Sequence, residues 1–138
     1  MLTHKRIIQY VVEGDRLSNT TETITNGGQF AFDDIVVHNA TPASSEIEVS
    51  FAAARANMKS ILISTGAAQI VVRTNANHSG APADTVTVPA NSSVVWNTND
   101  PAGSNPFKTA DVTSLFITNS SATLDTDVKI YVLLDVTP

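Results

Sequence analysis

The sequence predicts an all-β domain, a sandwich or a barrel, and three observations point to it. Apolar and polar residues alternate in runs of strand length. Turn-forming Gly, Pro, Asn and Ser separate these runs, so that about eight to ten strands recur roughly every 8–12 residues. Charged residues make up only 15% of the chain, and Ser, Thr and Asn supply polarity suited to strands and turns. We predict one domain over residues 1–138, long enough to bury about two thirds of its unfolded surface.

The clearest strand pattern lies near the C-terminal end, at residues 127–134. We expect residues 111–119 to form the preceding strand and to close a final hairpin with it. An isolated hairpin is marginal in water, so the rest of the chain must supply an opposing sheet. Alternation separates an apolar face from a mixed face: Val128, Ile130, Val132 and Leu134 against Asp127, Lys129, Tyr131 and Leu133.

The N-terminal region predicts a strand or docking arm within residues 1–15, because Ile8, Tyr10 and Val12 point one way in the alternation and Lys5, Gln9 and Glu13 point the other. A turn over residues 14–18 and a Thr-rich edge strand over residues 20–25 should follow. Asn26-Gly27-Gly28 is a strong hairpin signal, since type I′ turns need positive φ at both central residues. Residues 29–38 predict the next strand, with a bulge or break at Asp33-Asp34.

The middle of the chain predicts a loop over residues 39–45, then a strand over residues 46–51. A short helical turn is expected at residues 52–58. A further hairpin should join residues 59–65 to 69–74. Residues 85–88 and 92–97 should be strands separated by a turn at residues 89–91, with Trp96 facing the core. Residues 75–84 and 99–110 read as long loops. In the strand over residues 46–51, Ile47, Val49 and Phe51 should face inward and Glu46, Glu48 and Ser50 outward.

Charge and composition exclude several classes of function. The net charge is −5 and the eight Lys and Arg residues are scattered, so no basic stripe for nucleic acid is present. The chain has no cysteine, which removes disulfides and thiolate metal sites. No apolar run reaches the roughly 18 residues of a membrane helix. Polar residues also interrupt any signal-peptide core at the N-terminus, so we expect folding in the cytosol where the chain is made.

No set of residues predicts catalysis or metal binding. His4, His38 and His78 are about forty residues apart and lack the close spacing of a cupin site. The oxygen-rich stretches at residues 97–100 and 125–127 fit turns better than calcium loops. No serine lies in a Gly-x-Ser-x-Gly elbow. Glu46 and Glu48 fit a solvated strand face, although spacing alone leaves a glycosidase-type carboxylate pair open. We therefore predict no enzyme activity and no catalytic, metal-binding or cofactor-binding residue.

Residues 58–138 resemble small jelly-roll structural proteins of tailed bacteriophages, including capsid decoration (cement) proteins. The resemblance rests on DTVTVP at residues 84–89, DVTSLFITN at residues 111–119 and LLDVTP at residues 133–138. It implies a jelly-roll-like antiparallel β-sandwich and a homo-oligomer, plausibly a trimer. The implied partner is the major capsid protein, and the implied location is the outer capsid surface of the virion, after synthesis in the host cytoplasm. Residues 1–57 carry no such resemblance, and no interface residue is assigned.

Two other classes of function stay open at this point. A fibre-base or host receptor-binding head on the same fold would use the loops at residues 75–84 and 99–110 for glycan or protein contacts. A small hydrolase or a cupin-like enzyme would need titratable side chains that only the fold could bring together.

Overall fold

The computed structural model describes residues 2–12, 15–39, 45–101 and 103–135. These residues form ten strands and one 3₁₀ turn, Arg55–Asn57. No helix in these ranges is long and apolar enough to cross a membrane. The strands are β1 Leu2–Val12, β2 Asp15–Asn26, β3 Gly28–Val37, β4 Ile47–Ala53, β5 Met58–Thr65, β6 Ile70–Thr74, β7 Thr85–Val88, β8 Ser93–Asn97, β9 Val112–Asn119 and β10 Thr126–Leu134.

Strands β3 to β10 form a jelly roll of two four-stranded antiparallel sheets. The strand order is β3-β10-β5-β8 in the first sheet and β4-β9-β6-β7 in the second. Every connection between successive strands from β3 to β10 crosses to the other sheet, except the one from β6 to β7. The expected antiparallel sandwich of eight to ten strands is therefore confirmed.

The core lies between the two sheets and is filled by the predicted inward faces. Val128, Ile130 and Val132 of β10 are fully buried, as their alternation predicted. Phe107, from the loop between β8 and β9, is also fully buried and completes this cluster. Trp96 packs against the cluster from β8, so the prediction that it faces the core is confirmed.

The two hairpins predicted from β5 onward, residues 59–65 with 69–74 and the final hairpin, are wrong. β5 pairs with β10 and β8, whereas β6 lies in the opposite sheet beside β9 and β7. The connection from β7 to β8 also crosses between sheets, as does the last connection, from β9 to β10. A run of alternating apolar residues suits either sheet, and a turn signal does not say which strand the chain meets next.

Two predictions about the N-terminal region are also wrong. β2 already begins at Asp15, so residues 15–18 belong to a strand rather than to a turn, while Gly14 lies outside the described residues. The Asn26-Gly27-Gly28 segment does not close a hairpin, because β2 pairs with β1 and β3 pairs with β10. The Thr-rich strand is confirmed as an edge, since β1 and β2 form a separate two-stranded sheet, called the ribbon below.

Some predictions of local structure are confirmed by the structure and others are not. The bulge at Asp33-Asp34 is confirmed by the register, because Val128 pairs with Ile35 but Ile130 pairs with Phe32. The short helical turn expected at residues 52–58 is confirmed only at its centre, as the 3₁₀ turn Arg55–Asn57, because β4 runs to Ala53 and β5 starts at Met58. Most of the predicted loop at residues 39–45 lies outside the described residues.

Candidate functional site

The outer face of the first sheet carries a row of side chains at which the ribbon is attached. Leu133 of β10 pairs with Gln29 of β3 on one side and with Ser60 of β5 on the other. Ser60 in turn pairs with Asn97 of β8. Paired residues of neighbouring strands point to the same face, so these four side chains run across all four strands.

His4 of β1 attaches the ribbon to this row above Leu133. Its Nδ1 lies 3.0 Å from the Ser60 hydroxyl, and its Nε2 lies 3.1 Å from Oε1 of Gln29. The ring therefore spans β10 and bonds to the strands on either side of it. Leu133 is fully buried, although it lies outside the cluster that fills the sandwich. We conclude that the ribbon supplies its cover.

Arg6 fixes the ribbon at the other edge of the sheet. Its Nη1 and Nη2 donate to the two carboxylate oxygens of Asp100, at 2.8 and 2.6 Å. Its Nε donates to Glu22 of β2 at 2.6 Å, and Glu22 also accepts a hydrogen bond from Asn97 of β8. The Arg6 side chain is only 19% exposed, so solvent screens this charge network less than an open surface pair.

Hydrogen bonding within the network changes two acid–base equilibria. The bonds from Arg6 lower the pKa of Asp100, and the backbone N–H of Asn97 adds to this effect. The same pairing with Asp100 raises the pKa of Arg6. Both shifts favour the charged forms, so the contact between ribbon and sheet is an ion pair at neutral pH.

The ribbon continues past the edge of the sheet. His4 contacts β3 and β5, whereas Arg6 and Glu22 contact β8 and the loop after it, and β8 is the edge strand. Beyond Arg6, both strands continue to pair up to Val12 and Asp15. Ile7 and Ile8 are 53% and 47% exposed, and they are consecutive residues of β1. The structure therefore presents apolar side chains on a projecting two-stranded arm.

A groove of about 430 Å³ runs along the ribbon on the same face of the sheet. Its floor is the row next to Leu133, in which Tyr131, Leu62 and Val95 are neighbours on β10, β5 and β8. Val95 is 44% exposed there. The wall consists of four consecutive residues of β1, at positions 3–6, together with Ile24 of β2. Because consecutive residues line it, the edge of β1 faces the groove, and within the described residues β1 pairs only with β2.

The outer face of the second sheet holds another network, centred on Glu46. The Glu46 side chain is 10% exposed, which corrects the prediction that it is solvated. It accepts from the backbone N–H of His78 at 2.9 Å, lies 3.0 Å from His78 Nδ1, and lies 3.8 Å from Arg73. These contacts hold the loop between β6 and β7 against the sheet. Sequence reasoning missed them because the loop folds back across 32 positions of sequence.

Ser79 extends this network into the order serine, histidine, carboxylate. Its hydroxyl lies 3.0 Å from His78 Nε2, as in a hydrolase triad. A triad also needs N–H donors directed at the developing oxyanion. Here the N–H of Ser79 donates to the Asn77 side chain, and that of Gly80 donates to the Asn77 carbonyl. We assign the arrangement to loop attachment.

The three histidines lie in three separate contacts. His4 contacts the first sheet, His78 contacts Glu46, and His38 lies 3.1 Å from Asp125. The backbone N–H of Asn39, together with His38, lowers the pKa of Asp125. In the part of the chain that the structure describes, no three His, Asp or Glu side chains are grouped in a way that could hold a metal ion.

The two long loops are joined to each other at one end of the sandwich. Asp84 accepts hydrogen bonds from the backbone N–H and the hydroxyl of Thr109, at 3.0 and 2.6 Å. The side chain of Asn75 donates to the Asp111 carbonyl and accepts from the Thr113 N–H. This end is therefore tied together by hydrogen bonds and by the buried ring of Phe107.

Fold and site together define a jelly-roll domain that carries a ribbon on one outer face. A scan against protein-family models found no matching family, and searches of curated proteins and of solved structures found no significant match.

Proposed function

We propose that this protein is a structural component of a tailed-bacteriophage virion. It binds the outer surface of the capsid and stabilises the shell by bridging capsomers, as cement or decoration proteins do. Its partners are the major capsid protein and other copies of itself, plausibly in a trimer. Neither an enzymatic reaction nor a cofactor is part of this proposal.

The observation that carries the proposal is the attached and projecting ribbon. No ribbon residue whose burial the structure describes belongs to the core cluster, and the ribbon is held to the outer face of the first sheet by the polar contacts of His4 and Arg6 and by its cover of Leu133. Both of its strands are edge strands in the described residues, and exposed strand edges tend to pair with other chains. A projecting arm with half-exposed Ile7 and Ile8 is suited to contacts between subunits.

The segments behind the phage resemblance agree with this proposal. The segments at residues 84–89 and 111–119 contain β7 and β9, and residues 133 and 134 of the third segment end β10. These strands lie in both sheets, so the resemblance concerns the jelly-roll framework. A capsid-bound oligomer holds several weak contacts at once, and effective concentration then converts them into firm attachment.

Purified virions and capsids test the proposal. We expect the protein at equivalent positions all over the shell in a density map of the virion. We also expect capsids lacking it to release their DNA at a lower temperature, and added protein to restore the resistance. Its presence in only a few copies at the tail tip would refute the cementing function.

The receptor-binding alternative has its own observation and its own experiment. Hydrogen bonds between Asp84 and Thr109 join the loops at residues 75–84 and 99–110 at one end of the sandwich, which is a suitable surface for contact with a host receptor. Variants with shortened loops should then lose cell adsorption. Normal adsorption together with protein on the shell favours the cementing function.

A further inference from the structure

We infer that the groove beside the ribbon receives the projecting segment of β1, residues 7–12, from a second copy of this chain. This inference rests on the proposed function only in that a capsid-bound homo-oligomer needs a contact between copies. It adds the surface, the occupant and the mode of binding.

The groove has the form of a site for an added β-strand. One wall is the edge of β1, and the floor is the apolar row of Tyr131, Leu62 and Val95. In such sites, hydrogen bonds to the strand edge provide affinity, and floor contacts with alternate side chains provide specificity. The groove therefore selects an extended segment with apolar residues at every second position.

The projecting segment of β1 has that pattern. Its sequence has apolar residues at every second position, Ile8, Tyr10 and Val12, and Ile8 lies on the same ribbon face as His4 and Arg6. In its own molecule Ile8 is 47% exposed, because the ribbon has passed the β8 edge. In the second copy, the ribbon face that carries Ile8 would pack on the first sheet in the same way as His4 and Ile24 pack on it within one molecule.

The segment is long enough to span the groove. Six residues of antiparallel strand span about 20 Å. The groove is lined by residues from all four strands of the first sheet. The outer two of four strands are separated by three spacings of about 4.8 Å, which is about 14 Å. One segment can therefore cross one groove, and each copy offers one of each.

The area of this contact sets the strength that we expect. A strand about 20 Å long and about 5 Å wide buries far less than the roughly 800 Å² per partner of a stable interface. The contact should therefore be weak in dilute solution and should be favoured where a shell concentrates the copies. Covalent trapping detects such contacts better than chromatography does.

The chain has no cysteine, so paired single-cysteine variants provide a direct test. We would mix the full-length variants Ile8→Cys and Val95→Cys at high concentration and oxidise them mildly. A disulfide-linked heterodimer is expected to form several-fold faster than either homodimer. The control replaces Val95→Cys by Leu124→Cys, a residue that is 50% exposed on a loop away from the groove. Equal rates with both partners, or Ile8→Cys homodimers as the main product, would overturn the inference.

A matched pair of charge variants separates a specific contact from general stickiness. Ile7 and Ile8 are neighbours of equal size and similar exposure on opposite faces of β1. A chain that carries both Ile7→Glu and Ile8→Cys should form the disulfide with the Val95→Cys chain at nearly the same rate as a chain that carries Ile8→Cys alone. In native mass spectrometry at high concentration, Ile8→Glu should reduce the oligomer several-fold and Ile7→Glu should not. An equal effect of both substitutions, or a wild-type chain that is monomeric at every concentration, contradicts the inference.

The outcome separates this inference from the proposed function. Protein that decorates capsids but does not cross-link through the groove refutes only the inference. Protein that cross-links through the groove but is missing from the shell refutes only the capsid function.

Discussion

Truncation of Leu133 tests whether the ribbon is packed on the sheet. Leu133 points away from the sandwich core and is nevertheless fully buried, beneath the contacts that His4 makes to Gln29 and Ser60. Leu133→Ala removes three carbon atoms, which corresponds to about 2.4 kcal/mol of transfer free energy at about 0.8 kcal/mol per buried carbon. The cavity left behind adds to this, so we expect a loss of about 3–4 kcal/mol in the free energy of unfolding.

Urea unfolding followed by Trp96 fluorescence measures this loss. Leu62→Ala is the matched control, because Leu62 lies on the same face of the sheet but is only half-buried in the groove floor, and it should cost about 1 kcal/mol. Without the ribbon above it, Leu133 would be an exposed side chain whose truncation changes stability by about 0.5 kcal/mol or less. A result of that size would refute the packing of the ribbon on the sheet.

Three further predictions concern charge and the core. Because Arg6 lowers the pKa of Asp100, the stabilisation from this pair is fully present above the usual aspartate pKa and is lost as the pH falls below about 4. Asp100→Asn should cost about 1–2 kcal/mol at pH 7 and flatten the stability profile on the acid side of about pH 4, as measured by urea unfolding. An unchanged profile would argue against the pairing. Glu46→Gln should cost about 1–2 kcal/mol of unfolding free energy, because the Glu46 side chain is buried beside His78 and Arg73. Glu48→Gln, on the exposed face, should change the stability by about 0.5 kcal/mol or less. Equal effects of the two substitutions in thermal unfolding would contradict this difference. Ile130→Asp or Val132→Asp should prevent folding, since a buried unpaired carboxylate costs several kcal/mol against a total of about 5–15, and a mutant that melts like the parent would contradict the facing of β10.

The candidate site could be predicted from the sequence only in part. Alternation at Ile8, Tyr10 and Val12 indicated a strand or docking arm near the N-terminus, and the ribbon confirms that strand. The clamp between Arg6 and Asp100 joins positions 94 residues apart, so no local pattern could reveal it. Glu46 was misinterpreted for a related reason, because strand alternation places it outward and cannot show that a distant loop then covers it.

The sequence by itself determined most of the strand segments and which side of the core strands is buried. That information is local, because the two-residue period of an extended chain decides the facing of every side chain, as at Val128, Ile130 and Val132. Only the tertiary structure decided which strands pair, since Gly66-Ala67-Ala68 turns the chain equally well into a neighbouring strand or across the sandwich. It also decided which outer faces are covered. Leu133 and Glu46 lie on faces that alternation assigns to solvent, and contacts from far along the chain bury them.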